Sequence, residues 1–247
     1  MKTNVYVDGF NFYYGMFKRP RWLPWKWLDF YRLSLELMPG HDINRIRYFT
    51  ADVTAPPDNP HQAVRQQTYF RALRTIPDLT IHKGKYQSNP KRQPAIHPIP
   101  IPQMEARLSD AEIAVARRIL NEIKVVEVLN TEEKGSDVNL GSYLLLDAFD
   151  NDCEAAVVIS NDSDLATPLR FARDRCGVKV WVFNPHPGKP ALHLKNAAAE
   201  HRSIRPNVLE RCLFPDLLHD STGRAIHKPT SWTEAELQFL AKRQRSF

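Results

Sequence analysis

Two aspartates, Asp162 and Asp164, directly follow a short apolar run, Ala155 to Ile159, in this 247-residue chain. Such a continuous run is typical of a strand buried on both faces of a parallel sheet. A helical pattern follows the aspartates, and a second apolar run, Val178 to Phe183, follows that helix. Ligands of parallel α/β sheets bind beyond the carboxyl ends of the strands, so we expect both carboxylates to face a binding site.

Two further aspartates occupy similar positions. Asp8 ends the first predicted strand, and Asp137 follows the predicted fourth strand and precedes a helix. If the strands are parallel, all four carboxylates meet at one edge of the sheet. Carboxylates about 5 Å apart repel by about 3 kcal/mol per pair at an effective dielectric constant near 20. The cluster therefore needs protons or cations, and oxygen ligands without His or Cys favour Mg²⁺ or Mn²⁺.

A bound Mg²⁺ or Mn²⁺ ion can activate one of its waters as a nucleophile, which suits in-line attack on a phosphodiester. Asn11, three residues after Asp8, either orients a ligand or water or forms a turn. Glu133 and Asp147 are weaker candidates. Asp147 lies ten residues past Asp137, nearly three helical turns away, so we expect it to face solvent or to form a distant salt bridge.

Each aspartate also has a purely structural interpretation. Asp162 or Ser163 can cap the following helix, Asp164 can interact with the helix dipole, and Asp137 can be an N-cap. Asp8, beside Gly9, can stabilise a turn. Capping or turn formation is favoured for each residue taken alone, whereas the four residues together favour a metal site.

Strand and helix patterns alternate along the chain, which predicts a mainly parallel sheet with helices on both faces. The predicted strands are residues 5–7, 45–53, 79–86, 125–129, 155–159 and 178–183. The predicted helices are residues 27–38, 61–73, 110–122, 138–149, 191–200 and 232–240, with one more beginning at residue 165.

Residues 87–103 contain several prolines, which exclude a helix or a central strand, so we predict a long surface loop there. The pattern weakens from Pro206 onward. We therefore predict one domain over residues 1–205, which includes this loop, and a C-terminal extension over residues 206–247. The extension is expected to pack on the domain or to mediate association into a homo-oligomer.

The composition sets further limits. A net charge of +6 and a pI of about 9.2 permit a polyanionic partner without requiring one. Three isolated cysteines indicate a reducing compartment and argue against a disulfide or a CxxC zinc site. No apolar run approaches the roughly 20 residues that span a bilayer, and the N-terminus lacks a signal-peptide pattern. We expect a cytoplasmic protein with no membrane partner.

Three segments resemble the motifs of the NYN domain, a family of the PIN-like nuclease group. They are Val5 to Asn11, Glu133 to Val138 and Ser160 to Leu165. The resemblance covers roughly residues 1–205, and the C-terminal tail also resembles that of a bacterial subgroup of the family. It implies a PIN-like three-layer α/β/α fold with a mainly parallel sheet of strand order 3-2-1-4-5. It also implies a Mg²⁺- or Mn²⁺-dependent ribonuclease.

The motif positions imply which residues form that site. Many family members carry another acidic residue six positions past the aspartate of the second motif, where this chain has Tyr143. The implied metal ligands are Asp8, Asp137, Asp162 and Asp164, with Asn11 as the companion catalytic residue.

Aromatic side chains near the first motif are candidates for stacking unpaired bases, so single-stranded RNA is the expected partner. At least half of them are expected to pack in the core instead. Lys134 and Arg170 are equally candidates for phosphate contacts and for solvated charges. The aromatic candidates are Phe10, Phe12, Tyr13, Tyr14 and either Trp22 or Trp25.

Two alternative functions stay open. A non-catalytic RNA-binding regulator is disfavoured, because a phosphate-binding surface gains nothing from four clustered carboxylates. Members of the resembling subgroup have also been described as hydroxylases of a pyridine-ring compound. The sequence contains no GxGxxG fingerprint, no CxxC and no evident His-His-carboxylate grouping, so a hydroxylase would bind its cofactor in an unrecognised way.

Overall fold

The computed structural model describes residues 1–17, 24–55, 59–95, 109–186, 188 and 191–244. The chain divides into two compact units. Unit 1 comprises Met1–Lys85 and Glu133–Phe247, and unit 2 comprises Tyr86–Glu132.

The described residues form strands and helices that largely alternate. The strands are β1 (Lys2–Asp8), β2 (Asp42–Thr50), β3 (Leu79–Lys83), β4 (Lys85–Pro94), β5 (Val125–Lys134), β6 (Ala155–Ile159), β7 (Lys179–Asn184), β8 (Glu200–Ser203), β9 (Leu217–His219) and β10 (Ala225–His227). The helices are α1 (Gly9–Phe17), α2 (Phe30–Leu37), α3 (Gln62–Leu73), α4 (Asp110–Glu122), α5 (Ser136–Phe149), α6 (Ala166–Cys176), α7 (Leu192–Ala197), α8 (Pro206–Glu210) and α9 (Thr230–Gln244).

The central sheet has six strands in the order β3-β2-β1-β6-β7-β8, and every neighbouring pair is parallel. Counted within this sheet alone, the first five strands follow the order 3-2-1-4-5, with β8 added at the edge. The predicted mainly parallel α/β sheet is therefore confirmed. Since all of these strands run in one direction, their carboxyl ends lie at one edge.

Strand β1 explains the three layers, because its alternate side chains enter two different cores. Val5 and Val7 pack on one side of the sheet with apolar residues from α1, α2 and α3. Tyr6 packs on the other side with Leu144 of α5 and Leu169 of α6. All five residues of β6 are buried, as expected for a central strand with helices on both faces.

The predicted fourth strand does not belong to the central sheet. It is longer than predicted, as β5, and it pairs with β4 in a separate two-stranded sheet. The apolar pattern of residues 125–129 predicts a strand but cannot specify its partner. The prediction that Asp137 follows a strand of the central sheet is therefore wrong.

The proline-rich loop is also partly a strand. Residues 85–94 form β4, where a surface loop was predicted from residue 87 onward, and residues 96–103 lie outside the described part of the chain. A two-stranded sheet consists of edge strands only, and edge strands tolerate proline because one side needs no backbone donors. The predicted third strand ends at Lys83, and β4 begins after Gly84.

The C-terminal part of the chain contains strands that the sequence patterns did not predict. They are β8 and a small hairpin formed by β9 and β10. Before the hairpin, Leu28 and Leu213 form an isolated antiparallel bridge, and the Trp27 indole donates to the Pro215 carbonyl at 2.8 Å. Within the described residues, no helix is long and apolar enough to cross a membrane.

Candidate acidic site at the sheet edge

Asp8 is the last residue of β1, and α1 begins at the next residue. Its side chain is buried and held from two directions. The Asn11 backbone N–H donates to Oδ1 at 2.9 Å, and the Ser160 hydroxyl donates to Oδ2 at 2.9 Å. Gly9 permits the sharp strand-to-helix junction, since a Cβ there would lie 2.7 Å from the Phe49 carbonyl oxygen and the Tyr48 ring.

Burial raises the pKa of Asp8 to about 7, because the charged carboxylate is removed from water. The hydrogen bond from Asn11 opposes this effect, and the negative charges of Asp137 and Asp162 add to it. Asp8 therefore interacts electrostatically with two of the other predicted ligands, although they are distant in sequence.

Asp137 lies in the first turn of α5, and the N-cap of that helix is Gly135, which has a φ of 98°. The alternative interpretation of Asp137 as an N-cap is therefore wrong. Burial raises its pKa to about 6, and the charges of Asp162, Glu133 and Asp164 raise it further. Although its strand is not in the central sheet, Asp137 thus lies among the same carboxylates.

Asp162 combines a capping role with a place in this acidic group. It is the N-cap of a 3₁₀ turn, Ser163–Leu165, and its Oδ1 accepts from the Asp164 N–H at 2.9 Å. The Asp162 N–H donates to the Ser160 hydroxyl at 3.0 Å, and Ser160 in turn donates to Asp8. Asp162 therefore caps this 3₁₀ turn, whereas the N-cap of the helix α6 is Leu165. Asp164 lies in the same turn with its side chain exposed.

Asn11 connects the ends of three strands. Its Oδ1 accepts from the Asn161 N–H at 2.9 Å and lies 3.1 Å from Nε2 of His186. Because an amide oxygen only accepts, Nε2 of His186 carries the proton in this contact. His186 was missed in the sequence, although its position just after β7 is the signal that selected the aspartates.

The five acidic residues offer only carboxylate oxygens, the donors that Mg²⁺ and Mn²⁺ prefer, and their repulsion would be relieved by a cation. In their present arrangement, however, the described residues contain no formed cluster of three or more His, Cys, Asp or Glu groups that could hold a metal ion. The chemistry of these donors fits a divalent cation, although the described carboxylates are not gathered into a formed binding site. The group consists of Asp8, Glu133, Asp137, Asp162 and Asp164.

Asp147 belongs to a different, buried network. It forms an ion pair with Arg47, with Oδ1 to Nη2 at 2.6 Å and Oδ2 to Nε at 2.8 Å, and it accepts from the Tyr6 hydroxyl at 2.8 Å. The expectation that it faces solvent is wrong, whereas a salt bridge distant in sequence is correct. Tyr143 packs in the same region, with its ring 4.6 Å from the Arg47 guanidinium.

The predicted aromatic residues divide between the core and the surface. Phe12 and Trp25 are buried, Tyr13 and Tyr14 are 40% and 43% exposed, and Trp22 lies outside the described residues. Lys134 and Arg170 are exposed. Two of the rings are therefore available for stacking on a ligand.

The NYN domain model matches residues 95–205, which confirms the family that the three motifs suggested. The matched segment, residues 95–205, is thus identified as an NYN domain, a family of the PIN-like superfamily with a nuclease-like fold. The match contains the second and third motifs and begins after the first. The hydrogen bond between Asp8 and Ser160 connects the first motif to the third.

The chain is also similar to the 6-hydroxy-3-succinoylpyridine 3-monooxygenase HspA of Pseudomonas putida. The two are 28% identical over 256 residues, which cover 94% of this chain and 75% of that protein. Among solved structures, it is similar to a protein of unknown function from Vibrio parahaemolyticus. That likeness has a TM-score of 0.50 at 16% identity, covers 83% of this chain and 93% of the other, and concerns the fold alone.

Proposed function

We propose that the protein is a metal-dependent endoribonuclease that hydrolyses RNA phosphodiester bonds at the acidic site. One observation carries the proposal: Ser160 donates to Asp8 and accepts from the Asp162 N–H, which brings two of the predicted ligands together at the sheet edge. Burial, with added repulsion from neighbouring carboxylates, raises the pKa of Asp8 to about 7 and that of Asp137 to about 6. Carboxylates that repel each other in this way bind a divalent cation favourably, since the cation removes the repulsion.

Asp8, Asp137, Asp162 and Asp164 would hold Mg²⁺ or Mn²⁺, with Glu133 beside them. When bound, the cation supplies a Lewis acid that neutralises phosphate charge and activates water. Asn11 fixes the relative positions of the strand ends through its contacts with Asn161 and His186. His186 uses its Nε2–H in the contact with Asn11 and so helps to position this edge of the site.

Single-stranded RNA is the substrate class that these features favour. The exposed rings of Tyr13 and Tyr14 lie on α1, directly after Asp8. Unpaired bases can stack on such rings, whereas bases inside a duplex cannot reach them. The net charge of +6 also favours association with a polyanion.

The decisive experiment is cleavage of a mixed single-stranded RNA pool with Mn²⁺, with Mg²⁺ and with EDTA. Asp162→Asn tests the site, and Asp174→Asn is the matched control, because it makes the same change on the exposed surface of α6. Cleavage that needs metal, is lost in D162N and is kept in D174N supports the proposal. Cleavage unaffected by EDTA or by D162N contradicts it.

A second candidate is hydroxylation of a pyridine ring, because the similarity to a named monooxygenase extends over 94% of this chain. The reaction requires O₂ and a reductant, with one oxygen atom entering the ring and the other leaving as water. Oxygen uptake and NADH oxidation with 6-hydroxy-3-succinoylpyridine test it directly. Substrate-dependent uptake would favour this candidate, and its absence together with RNA cleavage would exclude it.

A further inference from the structure

Unit 1 contains a cavity of about 400 Å³ that begins at Gly9, the residue after Asp8. Half of the described residues that line it are aromatic, and α9 supplies part of its wall through Ser231, Trp232 and Ala235. The volume lies within the range of small-molecule pockets. Gly9 and Phe10 of its lining directly follow Asp8 in the chain, and the C-terminal helix helps to build this candidate site for a small ligand.

The walls favour a flat ring. Tyr48 and Phe70 extend from the sheet and α3, Tyr14 comes from α1, and Trp232 closes the pocket from α9. Such rings bind another aromatic ring through offset or edge-on contacts, worth about 0.5–1.5 kcal/mol per pair. The amides of Asn59 and Gln62 also line the cavity and can pair with a ring heteroatom or hydroxyl group.

The charges of the lining favour an anion. Lys26 and Arg65 line the cavity, and no Asp or Glu does so within the described part of the chain. Lys26 donates through Nζ to the Tyr13 hydroxyl at 3.0 Å, and Arg65 donates to Asn59. Both cations are thus held by neutral groups, which leaves their charges uncompensated by these partners. An anionic substituent on the ligand would supply the compensation.

We propose that this cavity binds one planar N-heteroaromatic ring with an anionic substituent, with the ring among the aromatic walls and the anion near Lys26. Two sources have this chemistry: a small heteroaromatic acid, and a nucleobase of RNA with its phosphate. The nucleobase source rests on the proposed nuclease function. It would place an extruded base next to Asp8 and would make the cavity the determinant of base preference.

Calorimetric titration of the full-length protein tests the binding without any catalysis. Nicotinate and uridine monophosphate are the probes for the two sources. Nicotinamide and uridine are their uncharged counterparts, and cyclohexanecarboxylate has the charge without the flat ring. We expect at least one anionic aromatic probe to bind, with affinity roughly tenfold above that of its uncharged counterpart, as for a charge-assisted hydrogen bond.

Two pairs of variants at partly exposed positions test the assignment. Lys26→Met should lower the affinity for the anionic probes about tenfold and leave the affinity for the uncharged probes unchanged. Lys179→Met, at the opposite edge of the sheet, should change neither affinity. Tyr14→Ala should weaken binding by roughly threefold to tenfold, and Phe171→Ala, a similarly exposed aromatic on α6, should not.

The results separate this proposal from the proposed function. Nicotinate binding without RNA cleavage keeps the cavity assignment and rejects the nuclease. RNA cleavage without binding of either anionic probe at millimolar concentration rejects the cavity assignment. Binding that K26M and K179M weaken equally also rejects it, as does equal binding of cyclohexanecarboxylate.

Discussion

Asp8 is a carboxyl group buried at the end of a strand, and its protonation links the acidic site to stability. Its pKa is about 7 in the folded chain, above the ordinary value of 3.8. Between these values the folded state holds a proton that the unfolded state has released, so the stabilisation is complete below about pH 3.8 and is lost as pH rises through 7. We predict a lower unfolding temperature at pH 8 than at pH 6 in EDTA, measured by calorimetry.

Asp8→Asn should remove most of that pH dependence, because the amide does not ionise. Asp174→Asn should retain it. Adding Mn²⁺ at pH 8 should raise the unfolding temperature of the unmodified protein more than that of D8N, since a ligand that binds only the folded state stabilises it. Equal pH slopes in the original chain and D8N would show that Asp8 does not carry the effect.

The Arg47–Asp147 pair gives a second prediction at the level of single residues. Both side chains are buried, with exposures of 9% and 5%, so Asp147→Asn leaves the Arg47 cation without its counter-charge. Breaking a buried pair in this way costs about 3–5 kcal/mol. Urea unfolding should show this loss, whereas Asp174→Asn, in an exposed pair with Arg173, should change stability by about 0–1 kcal/mol.

Catalytic activity per folded molecule distinguishes the two acidic networks. Activity should be retained in D147N and lost in D162N. Of these two aspartates, it is Asp162 that interacts electrostatically with Asp8 and Asp137. A D147N protein that is fully stable but inactive would instead place Asp147 in the functional site.

The sequence could predict the positions of Asp8, Asp162 and Asp164, because each ends or follows an apolar strand of the central parallel sheet, whereas Asp137 follows a strand outside that sheet. It could not predict the environment of Asp147. Helical periodicity specifies the face of α5 on which that residue lies, but not that β1 and β2 cover this face with Tyr6 and Arg47. His186 was available from the same signal, since it follows β7.

At the scale of secondary structure, the 3₁₀ turn after β6 has two roles. Asp162 caps the turn, and the carboxylates of Asp162 and Asp164 are proposed metal ligands. Asp162→Asn separates these roles, because Asn is as good an N-cap as Asp but lacks its charge. We predict that D162N changes the free energy of unfolding by less than about 1 kcal/mol and loses metal-dependent cleavage. Asp162→Ala should lose cleavage too, and its free energy of unfolding should fall by roughly 0.5–2 kcal/mol because the cap is missing. A D162N protein with much lower stability and full activity would assign capping as the main role.

Strand partners were the least predictable feature at this scale. The apolar run of β6 specifies a central strand, since only a strand covered on both faces buries five successive residues. Residues 85–94 and 125–134 have no such run, and their pairing depends on contacts between distant segments. The prolines of β4 do not prevent it from forming a strand, because both strands of a two-stranded sheet are edge strands. A central strand, in contrast, needs backbone N–H donors toward both neighbours.

At the level of the whole molecule, the C-terminal segment is joined to the start of the chain. The Trp27 ring is fully buried, its indole N–H is satisfied by Pro215, and its ring lies 6.1 Å from that of Trp232 on α9. Lys228 is also buried, and it pairs with Asp216 at 3.3 Å and with Glu236 of α9. Helix α9 thus covers an aromatic surface of unit 1 and neutralises a buried cation.

Trp232→Ala tests this connection. The change removes one ring from Trp27 and Tyr69, and truncation of a largely buried tryptophan costs about 3–5 kcal/mol at most, so we predict a loss of about 2–4 kcal/mol for this partly buried residue. Leu237→Ala, at a 62% exposed position of the same helix, is the control and should change stability by less than about 0.5 kcal/mol.

Metal binding should persist in W232A, because the carboxylates lie on the sheet, α5 and the turn after β6. Binding of the anionic aromatic probe should fall, because one wall of the cavity is gone. If W232A lost metal binding while probe binding stayed unchanged, α9 would support the acidic site rather than the cavity.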